Sequence, residues 1–231
     1  MKIRLFTLPN ILTLCNLLCG AIAATLALTL GELQAAFWLI VAAAVFDFLD
    51  GLVARLTRCY SEIGKELDSL ADVISFGFAP SAILLCIFQA AGGTEWWGYA
   101  VFAVAAFSAL RLAKFNIDPS QSDSFVGLPT PAAALFIAAS GHIFAGGSYA
   151  VQPASVLIIA GCICYFLVSP IRMFALKFHS YGLRGNELRY GFALLSLVAL
   201  AVWQITAVPF IILAYICVSV IAGFRPGQGA R

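Results

Sequence analysis

Apolar residues dominate this chain in long runs that are separated by short polar connections. A helix that crosses the hydrocarbon core of a bilayer needs about 20 mostly apolar residues. Eight runs approach or reach that length, near residues 10–30, 35–56, 69–91, 96–116, 129–147, 151–176, 188–206 and 208–223. The pattern predicts an all-α, polytopic membrane helix bundle with about eight transmembrane helices.

Composition supports a membrane protein. Of the 231 residues, 62% are apolar and only 10% are charged, and the mean hydropathy is +0.99. Such a chain has too few polar side chains to cover a soluble globule. The first run begins with Pro9 and Asn10 and is not followed by a small-residue cleavage site, so we expect it to be retained. A single integral membrane domain over residues 1–231 is expected.

The basic residues indicate the orientation of the bundle. All thirteen Lys and Arg residues lie before the first run, after the eighth, or beside the connections that follow the second, fourth and sixth runs. The remaining connections carry none. Because cytoplasmic connections are enriched in Lys and Arg, the pattern predicts that both chain termini lie in the cytoplasm and that the number of spans is even.

Four aspartates lie beside two successive apolar runs, where charged side chains are costly in a membrane. Asp47 and Asp50 fall within an arc of about 100° on the second predicted helix. Asp68 and Asp72, four residues apart, share a face of the third. The short connection between these helices makes them antiparallel neighbours, so the four carboxylates can converge. One such aspartate alone would be an interfacial or capping residue, but four together predict a cation site.

The residue types favour a particular cation chemistry. Carboxylates without a neighbouring His or Cys suit Mg²⁺ or Mn²⁺ rather than zinc, and two such ions can clamp a pyrophosphate during an in-line displacement. Gly51 and Ala54 leave room for a nucleotide beside the aspartates, and Gly64 permits close approach near the next helix start. Arg55 can bind a phosphate oxygen. Taken singly, the two small residues beside the aspartates would be packing positions.

These residues form one pattern, DxxDGxxAR followed after eight residues by GxxxDxxxD. It resembles the signature of the CDP-alcohol phosphatidyltransferase family at every specified position. The resemblance implies a six-helix catalytic core, here residues 1–178, two additional helices in 179–231, and a homodimer. It further implies two divalent cations, Mg²⁺ or Mn²⁺, held by Asp47, Asp50 and Asp68, with Asp72 as a further ligand and the general base.

Other stretches refine this expectation. FTLPNILTLCNLLCG at 6–20, LDSLADVISFGFAPS at 67–81, RLAKFN at 111–116 and GLPTPAAA at 127–134 resemble the bacterial and archaeal family members that use serine. The resemblance implies transfer of a phosphatidyl group from CDP-diacylglycerol to L-serine with release of CMP. It places the protein among the lipids of a prokaryotic-type cytoplasmic membrane, with an active site that faces the cytoplasm. We expect no nucleic-acid partner.

Two sets of residues are candidates for substrate contacts beyond the core motif. By family position, Asn10 and Thr13 contact the CDP-lipid, although capping or packing roles would equally fit them. Four polar residues suit a zwitterionic acceptor, whose carboxylate needs a cation: Arg111, Lys114, Asn116 and Thr130. Lys114 could instead anchor lipid phosphates.

Two alternatives stay open at this point. The same chemistry with glycerol 3-phosphate or inositol phosphate as acceptor would call for a denser basic pocket than the sequence offers. An ion-coupled transporter would have acidic groups spread across the bilayer, whereas these cluster at one end of two helices.

Overall fold

The computed structural model describes residues 5–59, 61–117, 125–147, 150–173 and 187–223. The described helices are α1 (Leu8–Leu30), α2 (Leu33–Thr57), α3 (Glu62–Asp72), α4 (Ala79–Ala90), α5 (Ala103–Ile117), α6 (Thr130–Ala145), α7 (Pro153–Val168), α8 (Glu187–Trp203) and α9 (Ala207–Gly223). A π-helical turn, Val73–Phe78, joins α3 to α4, and 3₁₀ turns at Trp96–Phe102 and Gln204–Thr206 precede α5 and α9. Strands β1 (Phe125–Val126) and β2 (Arg172–Met173) form one antiparallel pair.

The helices confirm a polytopic helical membrane bundle. Five segments in the described residues are long and apolar enough to cross a bilayer: Leu8–Leu30, Leu33–Thr57, Glu62–Ala90, Trp96–Ile117 and Arg189–Ile221. The last of these contains α8, the second 3₁₀ turn and α9. Helices α6 and α7 are apolar but shorter, at 16 residues each. All eight predicted runs therefore correspond to helical structure.

One predicted boundary is wrong. The sixth run was expected to continue to residue 176, but α7 ends before Ser169, whose backbone is extended (φ −60°, ψ 149°). Pro170 follows, and proline disfavours a helical conformation in the residue before it. The third helix begins at Glu62, so Gly64 lies near its start and Asp68 and Asp72 lie on it as expected, and the Ser61 hydroxyl caps it by accepting the Gly64 N–H at 3.1 Å.

Helix α1 lies at the centre of the part that carries the aspartates. It packs against α2, α3, the π-helical turn and α4, while α2 and α4 also contact α6. The buried residues at these contacts include many alanines, which allow helix backbones to approach closely in a membrane. Those in α1 and α2 are Ala23, Ala24, Ala27, Ala36 and Ala43.

The strand pair holds the start of α6 against the end of α7. The Gly127 N–H donates to the Ile171 carbonyl at 2.9 Å, and the Leu128 N–H donates to the Phe166 carbonyl at 2.8 Å. Gly127 has φ +79°, and a Cβ there would lie 2.5 Å from the Leu167 carbonyl oxygen. Only glycine fits this junction, which sets Thr130 at the first turn of α6.

Candidate active site

Helices α2 and α3 bring three aspartates together. Asp47, Asp50 and Asp68 each offer a carboxylate oxygen, and these oxygens lie within 4.8 Å of one another. Asp50 is buried, and the buried Oδ1 atom of Asp68 has no hydrogen-bond partner among the described residues. Buried, mutually repelling carboxylates are stable only when they are compensated. The crowded oxygens and the unpaired Oδ1 atom fit a divalent cation with oxygen ligands.

Asp72 lies beside this cluster but outside the group of three. It is the last residue of α3 and is only 7% exposed, and its Oδ1 accepts a hydrogen bond from Asn16 Nδ2 at 3.1 Å. Its charge interacts with those of Asp47 and Asp68 and with that of Arg111. Asp72 is therefore close enough to interact with both the carboxylate cluster and the predicted acceptor cation Arg111.

One face of α1 supplies hydrogen bonds to the aspartates. Asn10, Thr13 and Asn16 are spaced three residues apart and are all buried. The Thr13 hydroxyl donates to Asp50 Oδ2 at 2.6 Å, a short hydrogen bond to a charged acceptor. Asn16 was not among the predicted site residues, although the repeated spacing of polar residues in an apolar helix was a signal for it.

A cavity of about 310 Å³ opens beside Asp50 and Asp68. All six residues predicted to bind the CDP-lipid line it, namely Asn10, Thr13, Gly51, Ala54, Arg55 and Gly64. A Cβ atom at Gly51 would meet no atom nearer than Arg55 Nη2 at 4.0 Å, so this glycine borders open space. The Arg55 Nε donates to the Gly51 carbonyl at 2.9 Å, which holds the guanidinium at the cavity wall.

A second cavity, of about 280 Å³, contains the predicted acceptor cations. Leu110, Arg111, Lys114, Val126, Leu167 and Val168 line it. Arg111 is 8% exposed, and its Nη1 lies 3.5 Å from Thr130 Oγ1. Its buried Nε has no hydrogen-bond partner in the described part of the chain. Tyr215 of α9 also interacts electrostatically with Arg111, a contact between distant segments that no sequence motif indicated.

Asn116 has a different environment from the other acceptor candidates. Its Nδ2 donates to Ser69 Oγ at 2.7 Å, and its backbone carbonyl accepts a hydrogen bond from Lys65 Nζ at 3.0 Å. These bonds connect the end of α5 to α3. The structure thus brings Arg111, Lys114 and Thr130 together and engages the Asn116 side chain with α3.

The class of the protein follows from its motif and from comparison with known families. The sequence model of the CDP-alcohol phosphatidyltransferase family matches residues 6–168, and the chain belongs to that family. Members of this family depend on divalent cations, in agreement with the cluster of three carboxylates.

Individual relatives carry one name, CDP-diacylglycerol–serine O-phosphatidyltransferase. The chain is 43% identical to that of Helicobacter pylori over 136 residues, which are 58% of this chain and 56% of the relative. It is 36% identical to that of Methanocaldococcus jannaschii over 137 residues, 58% of this chain and 60% of the relative. It is 31% identical to that of Mycobacterium tuberculosis over 238 residues, 93% of this chain and 77% of the relative. The chain thus spans about half the length of the Helicobacter and Mycobacterium leprae proteins that it matches.

Proposed function

We propose that the protein transfers the phosphatidyl group of CDP-diacylglycerol to L-serine, forming phosphatidylserine and CMP. One observation carries the proposal: two of the three clustered carboxylates, Asp50 and Asp68, line a cavity together with Gly51, Ala54, Arg55 and Gly64 of the family motif. Arg111 and Lys114 line a second cavity, and Arg111 interacts electrostatically with Asp72. The names of the relatives support serine as the acceptor.

Two divalent cations, Mg²⁺ or Mn²⁺, are proposed as cofactors. Asp47, Asp50 and Asp68 would hold them, and Asp72 would face them as a further ligand. Bound ions would neutralise the pyrophosphate and stabilise charge on the attacking and leaving oxygens. The three carboxylates and the unpaired Asp68 Oδ1 support this assignment.

The donor would occupy the 310 Å³ cavity. Gly51 and Ala54 leave space for the nucleotide along α2, and Gly64 allows α3 to approach Asn10 of α1, since a Cβ there would lie 3.1 Å from Asn10 Oδ1. Arg55 at the wall would bind a phosphate oxygen and stabilise the negative charge that grows on CMP as it leaves. Thr13 would keep Asp50 oriented through its hydrogen bond.

The serine hydroxyl would attack the phosphorus that carries diacylglycerol. A bond forms between the serine oxygen and phosphorus, the bond from phosphorus to the oxygen bridging to the CMP phosphate breaks, and CMP leaves with that electron pair. Asp72 would accept the hydroxyl proton during attack, because a neutral hydroxyl is a weak nucleophile. Its burial and its electrostatic interactions with Asp47, Asp68 and Arg111 support this role.

The 280 Å³ cavity would bind the acceptor. Arg111 and Lys114 would hold the serine carboxylate through charge-assisted hydrogen bonds. Thr130 would orient the Arg111 guanidinium. Asn116, whose side-chain amide donates to Ser69, would contribute by fixing the end of α5 rather than by contacting serine.

The proposal also covers the membrane location of the enzyme, its oligomeric state and the bounds of its catalytic core. The distribution of Lys and Arg supports an active site that faces the cytoplasm from a prokaryotic-type cytoplasmic membrane. Family membership supports a homodimer and a catalytic core over residues 1–178, with residues 179–231 as an addition.

Release of CMP tests the proposal. The purified protein in detergent, supplied with CDP-diacylglycerol and Mn²⁺ or Mg²⁺, should release CMP when serine is added and should stop when EDTA removes the metal. Parallel reactions contain glycerol 3-phosphate, inositol phosphate or no acceptor. Release with glycerol 3-phosphate but not with serine would show that the acceptor is wrong. Release that persists in EDTA would show that the metal assignment is wrong.

A further inference from the structure

Asn16 is a fully buried polar residue to which neither the family motif nor the proposed reaction assigns a role. We infer that Asn16 is a positioning residue that orients the Asp72 carboxylate for the reaction. The inference rests on the proposed function, in which Asp72 accepts the proton of the attacking hydroxyl.

The side chain of Asn16 makes one hydrogen bond where it could make several. It is 0% exposed, its Nδ2 donates to Asp72 Oδ1 at 3.1 Å, and its Oδ1 has no partner within the described ranges. A buried amide with an unpaired oxygen is unfavourable for folding. An apolar residue would suit the interior of α1 better, so the stability of the fold does not explain this asparagine.

The backbone of Asn16 is fixed against the segment that follows Asp72. Ser75 Oγ donates to the Asn16 carbonyl at 2.9 Å. One turn further along α1, a Cβ atom on Gly20 would lie 2.5 Å from Ser75 Cα and 2.3 Å from Ser75 Oγ. Helix α1 therefore lies so close to the π-helical turn that no side chain fits at residue 20. This contact helps to fix the distance between Asn16 and Asp72.

The hydrogen bond determines which carboxylate oxygen remains for the reaction. The last torsion of an aspartate side chain has a broad, roughly two-fold distribution, so an untethered Asp72 could turn its carboxylate freely. The bond to Oδ1 fixes the rotation of the carboxylate, and we assign the proton to Oδ2, the oxygen that Asn16 does not engage. A catalytic group held in one orientation reacts faster than one that must first rotate into place.

Two variants of Asn16 test the inference in the full-length protein in detergent. Asn16→Leu keeps the side-chain size and removes the donor, and Asn16→Ala provides a smaller side chain in case leucine prevents folding. For both we expect kcat to fall at least tenfold, while the KM for CDP-diacylglycerol and the Mn²⁺ concentration for half-maximal activity stay within twofold. Ser81→Ala is the control, because the buried Ser81 hydroxyl donates only within its own helix, to the Gly77 carbonyl at 2.8 Å.

Two results would overturn the inference. One is a kcat within twofold of the unaltered protein in a folded variant. The other is a fall in kcat with an equal change in lipid KM and metal requirement, which would indicate general structural damage. The measurement uses whichever acceptor supports CMP release, so failure of serine as acceptor would contradict the proposed function without affecting the comparison of Asn16 variants.

Discussion

The two cavities of the site differ in how firmly their polar groups are held. On the donor side, Asp50 accepts a 2.6 Å hydrogen bond from Thr13, and the adjoining Asp72 accepts one from Asn16. On the acceptor side, the contact from Arg111 to Thr130 is 3.5 Å long, and Lys114 is exposed. The polar groups on the donor side are therefore tied by shorter hydrogen bonds than Arg111 on the acceptor side.

The difference reflects the charges that each region must accommodate. Three aspartates that repel one another are held close by the surrounding helices and by the Thr13 hydrogen bond to Asp50, and such preorganised charge is effective in catalysis. The acceptor side holds cations that can adjust around a small anion. Under the proposed function, the first region determines the reaction class and the second determines the choice of alcohol.

Removing a carboxylate from the cluster should have the largest effect. Asp68→Asn is expected to lower CMP release by roughly 10³-fold, since a metal ion contributes several kcal/mol to the stabilisation of the transition state. Glu66→Gln, an exposed change on the same helix, is the control. Thermal unfolding in EDTA should show no loss of stability in Asp68→Asn, because the change removes one of the repelling charges. Full activity of this variant would refute the metal assignment.

Filling the donor cavity should have the next largest effect. Gly51→Val places a side chain in the space assigned to the nucleotide, and a misfit of this kind costs about 1–3 kcal/mol, or roughly 10–100-fold in the KM for CDP-diacylglycerol. Gly161→Val is the matched control, because Gly161 is an exposed helical glycine with no atom within 4 Å of a Cβ position. Equal kinetics for the two variants would argue against donor binding in this cavity.

The acceptor side should respond selectively to loss of its buried cation. Arg111→Met is expected to raise the KM for serine by about 10–100-fold, the equivalent of one hydrogen bond to a charged group. The KM for CDP-diacylglycerol should change little. Arg58→Met, at an exposed position after α2, serves as the control. A parallel rise in both KM values would place Arg111 on the donor side as well.

A pair of threonines offers the finest comparison of the two regions. Thr13→Val removes a 2.6 Å bond to a carboxylate and should lower activity by about tenfold. Thr130→Val removes a 3.5 Å contact, beyond the usual N–H···O range, and should change activity by about twofold or less. Steady-state assays of both variants under the same conditions test the difference. Equal losses would show that the two regions are equally organised.

Local patterns in the sequence predicted most of the fold. Apolar runs identify membrane helices because length and hydropathy alone decide insertion. Register along α2 and α3 also placed Asp50 and Asp68 on facing surfaces, because the connection between those helices is short. The end of α7 was missed because hydropathy continues past Pro170 while helical geometry does not.

Contacts between distant segments could not be predicted in the same way. Asn16 and Asp72 are 56 residues apart, and Asn116 lies 47 residues from Ser69. Neither pair follows from periodicity, because the approach of two helices depends on how all of their neighbours pack. Tyr215 lies on a helix beyond the matched family region, so no motif could connect it to Arg111.

The π-helical turn after Asp72 makes the chain sensitive to deletions at this point. The turn is held from one side by Ser75 against α1 and from the other by Gly77, where a Cβ would lie 3.3 Å from Ala105 Cα of α5. Loss of a single codon between 73 and 78 would rotate every later position of α4 by about 100° relative to Asp72. A point substitution in this turn changes one local contact, whereas a deletion changes the register of the whole of α4.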